Sequence, residues 1–145
     1  MDIIGSGPKK KKLENLIKQL GLTKKVKLIP WKNNLKKYYI KSDIFVLTSL
    51  YEGLGNVFID AVNNSLPCIY SKCKSGPNEI LLNEKGGYPI EIKSSIQLSK
   101  AMKYVVNNYK DSVNKTYISH RKLYRFLQTH NSEKYLRYFF KIFNS

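Results

Sequence analysis

The sequence predicts an α/β protein with a three-layer parallel sheet, helices covering both of its faces. Three observations carry that expectation. Short apolar runs alternate with helix-length amphipathic segments over residues 1–93, in the order βαβαβαβαβ. The runs "DIFVLTS" and "LPCIYSK" are continuously apolar between polar boundaries, the pattern of strands buried on both faces. Glycine-bearing turns follow the first, third and fourth runs, where a parallel sheet gathers the loops at the carboxyl ends of its strands.

Each element has its own signal. "MDIIGSGP" reads as a strand entering a glycine turn, with Pro8 suited to the first turn of a helix. Leu13, Leu16, Ile17 and Leu20 follow at helical spacing, and Gly21 closes the segment. "KVKLIP" alternates as a strand, and a short helix is expected over Leu35–Lys41. After "DIFVLTS", residues 56–64 form a helix whose apolar side carries Val57, Ala61 and Val62. "LPCIYSK" is a strand, "SGPNEILLN" a turn into a short helix, and "GGYPIEI" the final strand. From Ser94 three helices are expected. The first carries Leu98, Ala101, Met102 and Val105; the second spans Asp111–Leu127; the third opens at Ser132 and carries Leu136, Phe139, Phe140 and Phe143. The organisation is a single domain, with residues 1–93 its α/β core and 94–145 its C-terminal helices.

Bulk properties narrow the partners. The 145 residues carry 26 Lys and Arg against 10 acids, a net charge of +16. A solvated surface in a lysine-rich composition accounts for this charge, and so does an anionic partner such as a phosphorylated small molecule, acidic lipid or nucleic acid. A nucleic-acid reading lacks any recognition helix or RNA-binding signature. Cys68 and Cys73 match no zinc or redox spacing and read as buried free thiols in a reducing compartment. His120 and His130 lie apart without a carboxylate pattern, so no metal site is expected. No run approaches the roughly 18 apolar residues of a membrane span, and no signal peptide is recognisable. The reading is cytoplasmic.

The candidate site is "SLYEGLGNVFIDA". Glycines let backbone approach a ligand closely, and amides at a helix start attract phosphate. Glu52 precedes the helix that starts at Asn56, and Asp60 lies about one turn inside it, so both can face one pocket. Carboxylates repel phosphate but accept hydrogen bonds from sugar hydroxyls. Amides for phosphate and acids for hydroxyls describe a nucleotide-sugar. A plain structural loop fits the same residues.

Along nearly the whole chain, "IIGSGPKKKKLENLIKQLGLTKKVKLIPW", "YIKSDIFVLTSLYEGLGNVFIDAVNNSLPCIYSKCKSGPNEIL" and "HNSEKYLRYFFKIF" resemble the C-terminal domain of group 1 glycosyltransferases. These are retaining enzymes of the GT-B fold, whose donor-binding half is Rossmann-like. Their signature is a glutamate, seven residues, then a second glutamate. The resemblance gives Glu52 the catalytic place, holding donor-sugar hydroxyls and positioning rather than protonating. It places the amides of Gly53, Leu54 and Gly55 beside sugar and diphosphate, and those of Asn56 and Val57 on phosphate. Asp60 takes the ribose hydroxyls, Gly5 and Gly7 flank the nucleotide, and Trp31 lies in the segment lining the base.

The implied donor is a nucleotide-diphosphate hexose or N-acetylhexosamine, with no cofactor or metal. The implied acceptor is a glycan or lipid-linked saccharide of capsule or lipopolysaccharide synthesis, reached in the cytoplasm or peripherally at the membrane's inner face. No nucleic-acid partner is implied. Two departures stand out. Asp60 replaces the second glutamate with a side chain one methylene shorter. The basic pair that grips the diphosphate, and the acceptor domain, precede the segment corresponding to "DIIGSGP" in the family, so a truncated or split-gene chain is expected, inactive without a partner chain. A catalytically silent nucleotide-sugar-binding module is the alternative. Plainer readings apply elsewhere: Lys9–Lys12 as an exposed helix face, Glu79 as helix-start electrostatics, Tyr38 and Tyr39 as core, and Lys134, Arg137 and Lys141 as a solvated stripe.

Overall fold

The computed structural model describes residues 1–73 and 76–143; Lys74, which begins the expected "KSGPNE" loop, and Ser75 lie outside the described residues. The strand–helix order is the expected one: β1 (Asp2–Ile4), α1 (Lys10–Gln19), β2 (Lys27–Ile29), α2 (Lys36–Ile40), β3 (Phe45–Leu47), α3 (Asn56–Asn63), β4 (Cys68–Ser71), α4 (Pro77–Ile80) and β5 (Tyr88–Ile90). Then follow α5 (Ser95–Asn107), α6 (Tyr109–His120), a 3-10 turn (Leu123–Phe126) and α7 (Gln128–Phe143). The chain divides into two compact units, Met1–Lys37 and Tyr38–Ser145.

In the first unit β1 and β2 pair in parallel, Asp2 opposite Lys27 and Ile4 opposite Ile29. Between them, α1 begins at Lys10, so Pro8 lies in the turn before the helix and not in its first turn. Its end follows the glycine signal. Gly21 is left-handed at φ +64°; its N–H reaches Lys18 O, and the Leu22 N–H reaches Ile17 O. This crossed pair satisfies carbonyls that a helix end otherwise leaves open. Lys9–Lys12 are exposed, and so are Leu13, Leu16 and Leu20 of the expected apolar stripe.

The second unit is a three-layer sandwich around the parallel sheet β3-β4-β5. Alternation decides which layer each residue joins. Val46, Ile69, Tyr88 and Ile90 meet Leu98, Ala101, Met102 and Val105 of α5, the residues that the periodicity marks. On the opposite face, Phe45 and Tyr70 meet α3 through Phe58: ring centroids lie 5.3 Å apart for Phe45–Phe58 and 5.9 Å for Phe58–Tyr70, both edge to face. Tyr39 extends the chain of rings to Phe45 at 6.0 Å. All of β4 is buried, whereas β3 is half-buried, so of the two apolar runs only the second is fully covered.

The C-terminal helices depart from expectation. The α5 N-cap is Ser94, whose Oγ accepts from Gln97 N at 3.3 Å. The second expected helix stops at His120, and the chain makes a separate 3-10 turn over Leu123–Phe126. There Arg125 donates from Nε to Lys122 O and from Nη2 to Glu79 O, at 3.0 and 3.1 Å. Periodicity carries no trace of that tertiary contact. The final helix starts at Gln128 and not at Ser132. Leu127 is extended, and its carbonyl accepts from Asn131 N, so the chain enters α7 at a residue without a side-chain oxygen. The side chains of Tyr135, Leu136, Tyr138, Phe139, Phe140, Ile142 and Phe143 are all more than half exposed. The rings of Phe139 and Phe143 pack against each other at a tilt of 38°, with centroids 4.4 Å apart. An apolar arc of that breadth in water favours association. Sedimentation of the chain should therefore show self-association that weakens when Phe139 and Phe143 are replaced by serine.

Candidate functional site

The loop after β3 carries the signature. Ser71 donates from Oγ to Ser49 O, tying the start of the loop to the end of β4. The loop ends at Gly55, the N-cap of α3, which is left-handed at φ +73° and ψ +58°. A glycine is required there twice over. Left-handed backbone costs an L residue about 1–2 kcal/mol, and a Cβ would lie 3.0 Å from Cδ2 of the fully buried Phe58. Gly55→Ala should accordingly lower stability by at least about 1–2 kcal/mol in a urea titration.

Gly55, the N-cap, offers no side-chain oxygen and makes no side-chain cap bond to α3. The first amides of a helix have no partner within it, so those of Asn56 and Val57 present donors and the positive end of the helix dipole. Glu52, half-buried, stands over this turn with Oε2 4.0 Å from where a Gly55 Cβ would be. The structure thus brings Glu52, Gly55 and the α3 start together. Gly53 and Leu54 are exposed between them.

Asp60 is exposed one turn into α3, on the face of Asn56 four residues earlier. Its neighbour is Tyr39, whose hydroxyl donates to Val57 O at 3.3 Å. Burial, and then the Asp60 charge, push the Tyr39 phenol up to about 12. A folded-state value above the ordinary 10 means that the folded chain holds this proton more tightly. The associated stability is complete below pH 10 and is lost as pH rises through about 12. Tyrosine-labelled NMR titration should find Tyr39 ionising late, and earlier in Asp60→Asn. The sequence marks Tyr39 as core, which it is at 6% exposure, but gives no sign of its tie to Asp60.

Gly5, Gly7 and Trp31 belong to the first unit. Gly5 and Gly7, with Ser6, Pro8, Lys9 and Lys10, line a cleft of about 280 Å³ that closes over Leu13 and Leu28. The Trp31 N–H donates to Ser6 Oγ at 3.1 Å, which joins the Trp31 segment to the glycine loop. Its indole is 67% exposed, with Nε1 donating to Asn33 Oδ1 at 3.1 Å. The ring plugs no core.

Away from these segments, Lys72 pairs with Glu84 and Glu91 at 3.3 and 3.6 Å. Burial pushes the Cys68 thiol up, as an inert core thiol requires. Among the described residues no group of three or more His, Cys, Asp or Glu is placed to hold a metal ion. No described helix is long and apolar enough to cross a membrane.

In this parallel α/β fold the Glu52 carboxylate and the Gly55 turn stand together at the start of α3. The family model described as "Glycosyl transferases group 1" matches residues 1–122, and the chain belongs to that family. It is 41% identical over 92 residues to an uncharacterized glycosyltransferase of Methanocaldococcus jannaschii, covering 60% of this chain and 23% of the relative. With a Campylobacter jejuni N-acetylgalactosamine-N,N'-diacetylbacillosaminyl-diphospho-undecaprenol 4-alpha-N-acetylgalactosaminyltransferase it shares 31% identity over 115 residues, covering 79% of this chain and 31% of that one. The solved structure of a point mutant of S. aureus TarM, in complex with Fondaparinux, alpha-GlcNAc-glycerol and UDP, superposes with a TM-score of 0.78 at 26% identity, over 99% of this chain and 29% of TarM. The chain therefore spans less than a third of the length of each of these three proteins.

Proposed function

We propose that this chain is the donor-binding part of a retaining glycosyltransferase of surface-glycan synthesis. Its donor is a uridine-type nucleotide-diphosphate sugar, and its acceptor a saccharide or lipid-linked saccharide. The observation that carries the reading is Glu52 over the Gly55 turn at the start of α3, in a chain of the group 1 family. The Asn56 and Val57 amides meet the diphosphate, Glu52 orients the transferred sugar through its hydroxyls, and Asp60 accepts from the ribose. Gly5, Gly7 and Trp31 keep the nucleotide-side roles given by the family resemblance. As the sugar leaves, charge accumulates on the diphosphate, and fixed amide dipoles stabilise it without reorganising. No metal is invoked. The acceptor hydroxyl attacks from the face that the diphosphate leaves. The work is cytoplasmic or at the inner membrane face.

Isothermal titration with UDP tests this: binding that survives EDTA is expected, and no binding by a folded chain would overturn it. Transfer activity should appear only when an acceptor-binding partner chain is co-expressed. A second reading is a nucleotide-sugar-binding module without turnover. UDP binding with no transfer under any co-expression selects that reading. Filter binding without a steep salt dependence excludes nucleic acid as the partner.

A further inference from the structure

We propose that Gly76 is a positioning residue for the donor site, its bare Cα holding the Glu52–Gly55 loop in register. The proposal rests on the reading of that loop as the donor-binding segment. Gly76 is buried at the N-cap of α4, with φ +78° and ψ −80°, a conformation that L side chains rarely adopt. A Cβ built there would overlap the Gly53 carbonyl oxygen, and would stand 3.0 Å from both Gly53 C and Leu54 O. The two loops thus meet backbone to backbone, with room for a hydrogen and nothing larger.

The atoms that Gly76 touches matter because of peptide planarity. The Gly53 and Leu54 carbonyls share rigid planes with the N–H groups of Leu54 and Gly55. Pushing either oxygen turns the amide on the other side of the plane. A methyl group on Gly76 would therefore re-aim the Leu54 and Gly55 amides, which the family resemblance places beside the sugar and diphosphate, without touching Glu52 or Asp60.

One partner in this contact has to give, and α4 is held on its far side. Pro77 and Ile80 are buried, Tyr70 donates from its hydroxyl to Asn78 Oδ1 at 3.1 Å, and Arg125 donates to Glu79 O at 3.1 Å. The exposed Gly53–Leu54 segment has no such anchoring in the hydrogen-bond pattern among the described residues. The loop is the element that moves.

The test titrates the 145-residue chain with UDP and with UMP, alongside thermal melts. In Gly76→Ala, UDP affinity should fall by about tenfold or more, since misplacing a binding group by about 1 Å costs up to a hundredfold. UMP lacks the second phosphate, so its affinity should stay within about twofold, and the UDP/UMP ratio should collapse. A purely structural role would weaken both ligands together, and that result, or an unchanged UDP affinity, overturns the proposal. A Gly76→Ala chain without a cooperative melt hands the decision to Arg125→Ala, which frees α4 from behind. Selective loss of UDP there supports the proposal, and an unchanged ratio overturns it. Failure of the wild-type chain to bind UDP strikes instead at the donor-site reading, and removes this inference with it.

Discussion

Phe58→Ala should unfold the second unit more easily than any other single change considered for it. Its ring is fully buried and lies edge-on to both Phe45 and Tyr70, bridging α3 to two strands of the sheet. Removing a buried phenylalanine costs about 3–5 kcal/mol, from lost transfer energy and the cavity left behind. Against a total stability of about 5–15 kcal/mol, that is a large fraction. The midpoint of urea unfolding should fall sharply, and the near-ultraviolet dichroism of the aromatic row should fade. Phe58→Leu, which fills most of the space, should recover most of the loss. Equal midpoints for wild type and Phe58→Ala would show that the aromatic row does not hold α3 to the sheet.

Glu52→Ala should do the opposite, removing ligand affinity while leaving the fold intact. Glu52 is half-buried in a loop outside the packed core of the unit. A charged hydrogen-bond acceptor is worth about 1.5–3 kcal/mol, roughly tenfold to a hundredfold in affinity for a sugar-nucleotide donor. Calorimetric titration with UDP-glucose and UDP-N-acetylglucosamine reads the loss, and the melting temperature should barely change. Glu52→Gln keeps an acceptor oxygen and should fall between the two. Unaltered donor affinity in Glu52→Ala would remove this residue from the site, and a large drop in melting temperature would make it structural.

The contrast between these residues shows what the sequence makes legible. The strand order, the Ser94 cap and the α5 face follow from signals that repeat along the chain, namely apolar period, polar boundary and capping oxygen. The α3 start is legible because a glycine, Gly55, takes the left-handed turn that precedes the helix. Other features lack such local signals. The buried stripe of α6 is Ser112, Thr116 and Ser119, spaced as a helix face but polar, so a hydrophobic period does not reveal it. Its small side chains let α6 approach the sheet: Ser112 Oγ lies 2.7 Å from the Tyr88 hydroxyl, and Gly86 leaves no room for a Cβ beside Ser119. The contact of Gly53 with Gly76 and the tie between Tyr39 and Asp60 join residues far apart in the chain. No short-range pattern encodes them.

The all-parallel pairing also sets how the chain must acquire its structure. Asp2 pairs with Lys27, Phe45 with Cys68, and Ile69 with Tyr88, so among the described residues no ladder is a local hairpin. Each closes across about twenty residues, and closure entropy is spent before any hydrogen bond of that ladder forms. During synthesis β3 leaves the ribosome well before β4, the strand beside it in its sheet, and β4 waits in turn for β5. The nascent chain therefore carries unpaired apolar strand edges for seconds, at about 5–20 residues per second. Refolding yield should depend strongly on protein concentration, and chaperone capacity, more than the equilibrium stability of the finished fold, should limit how much of the chain a cell can accumulate.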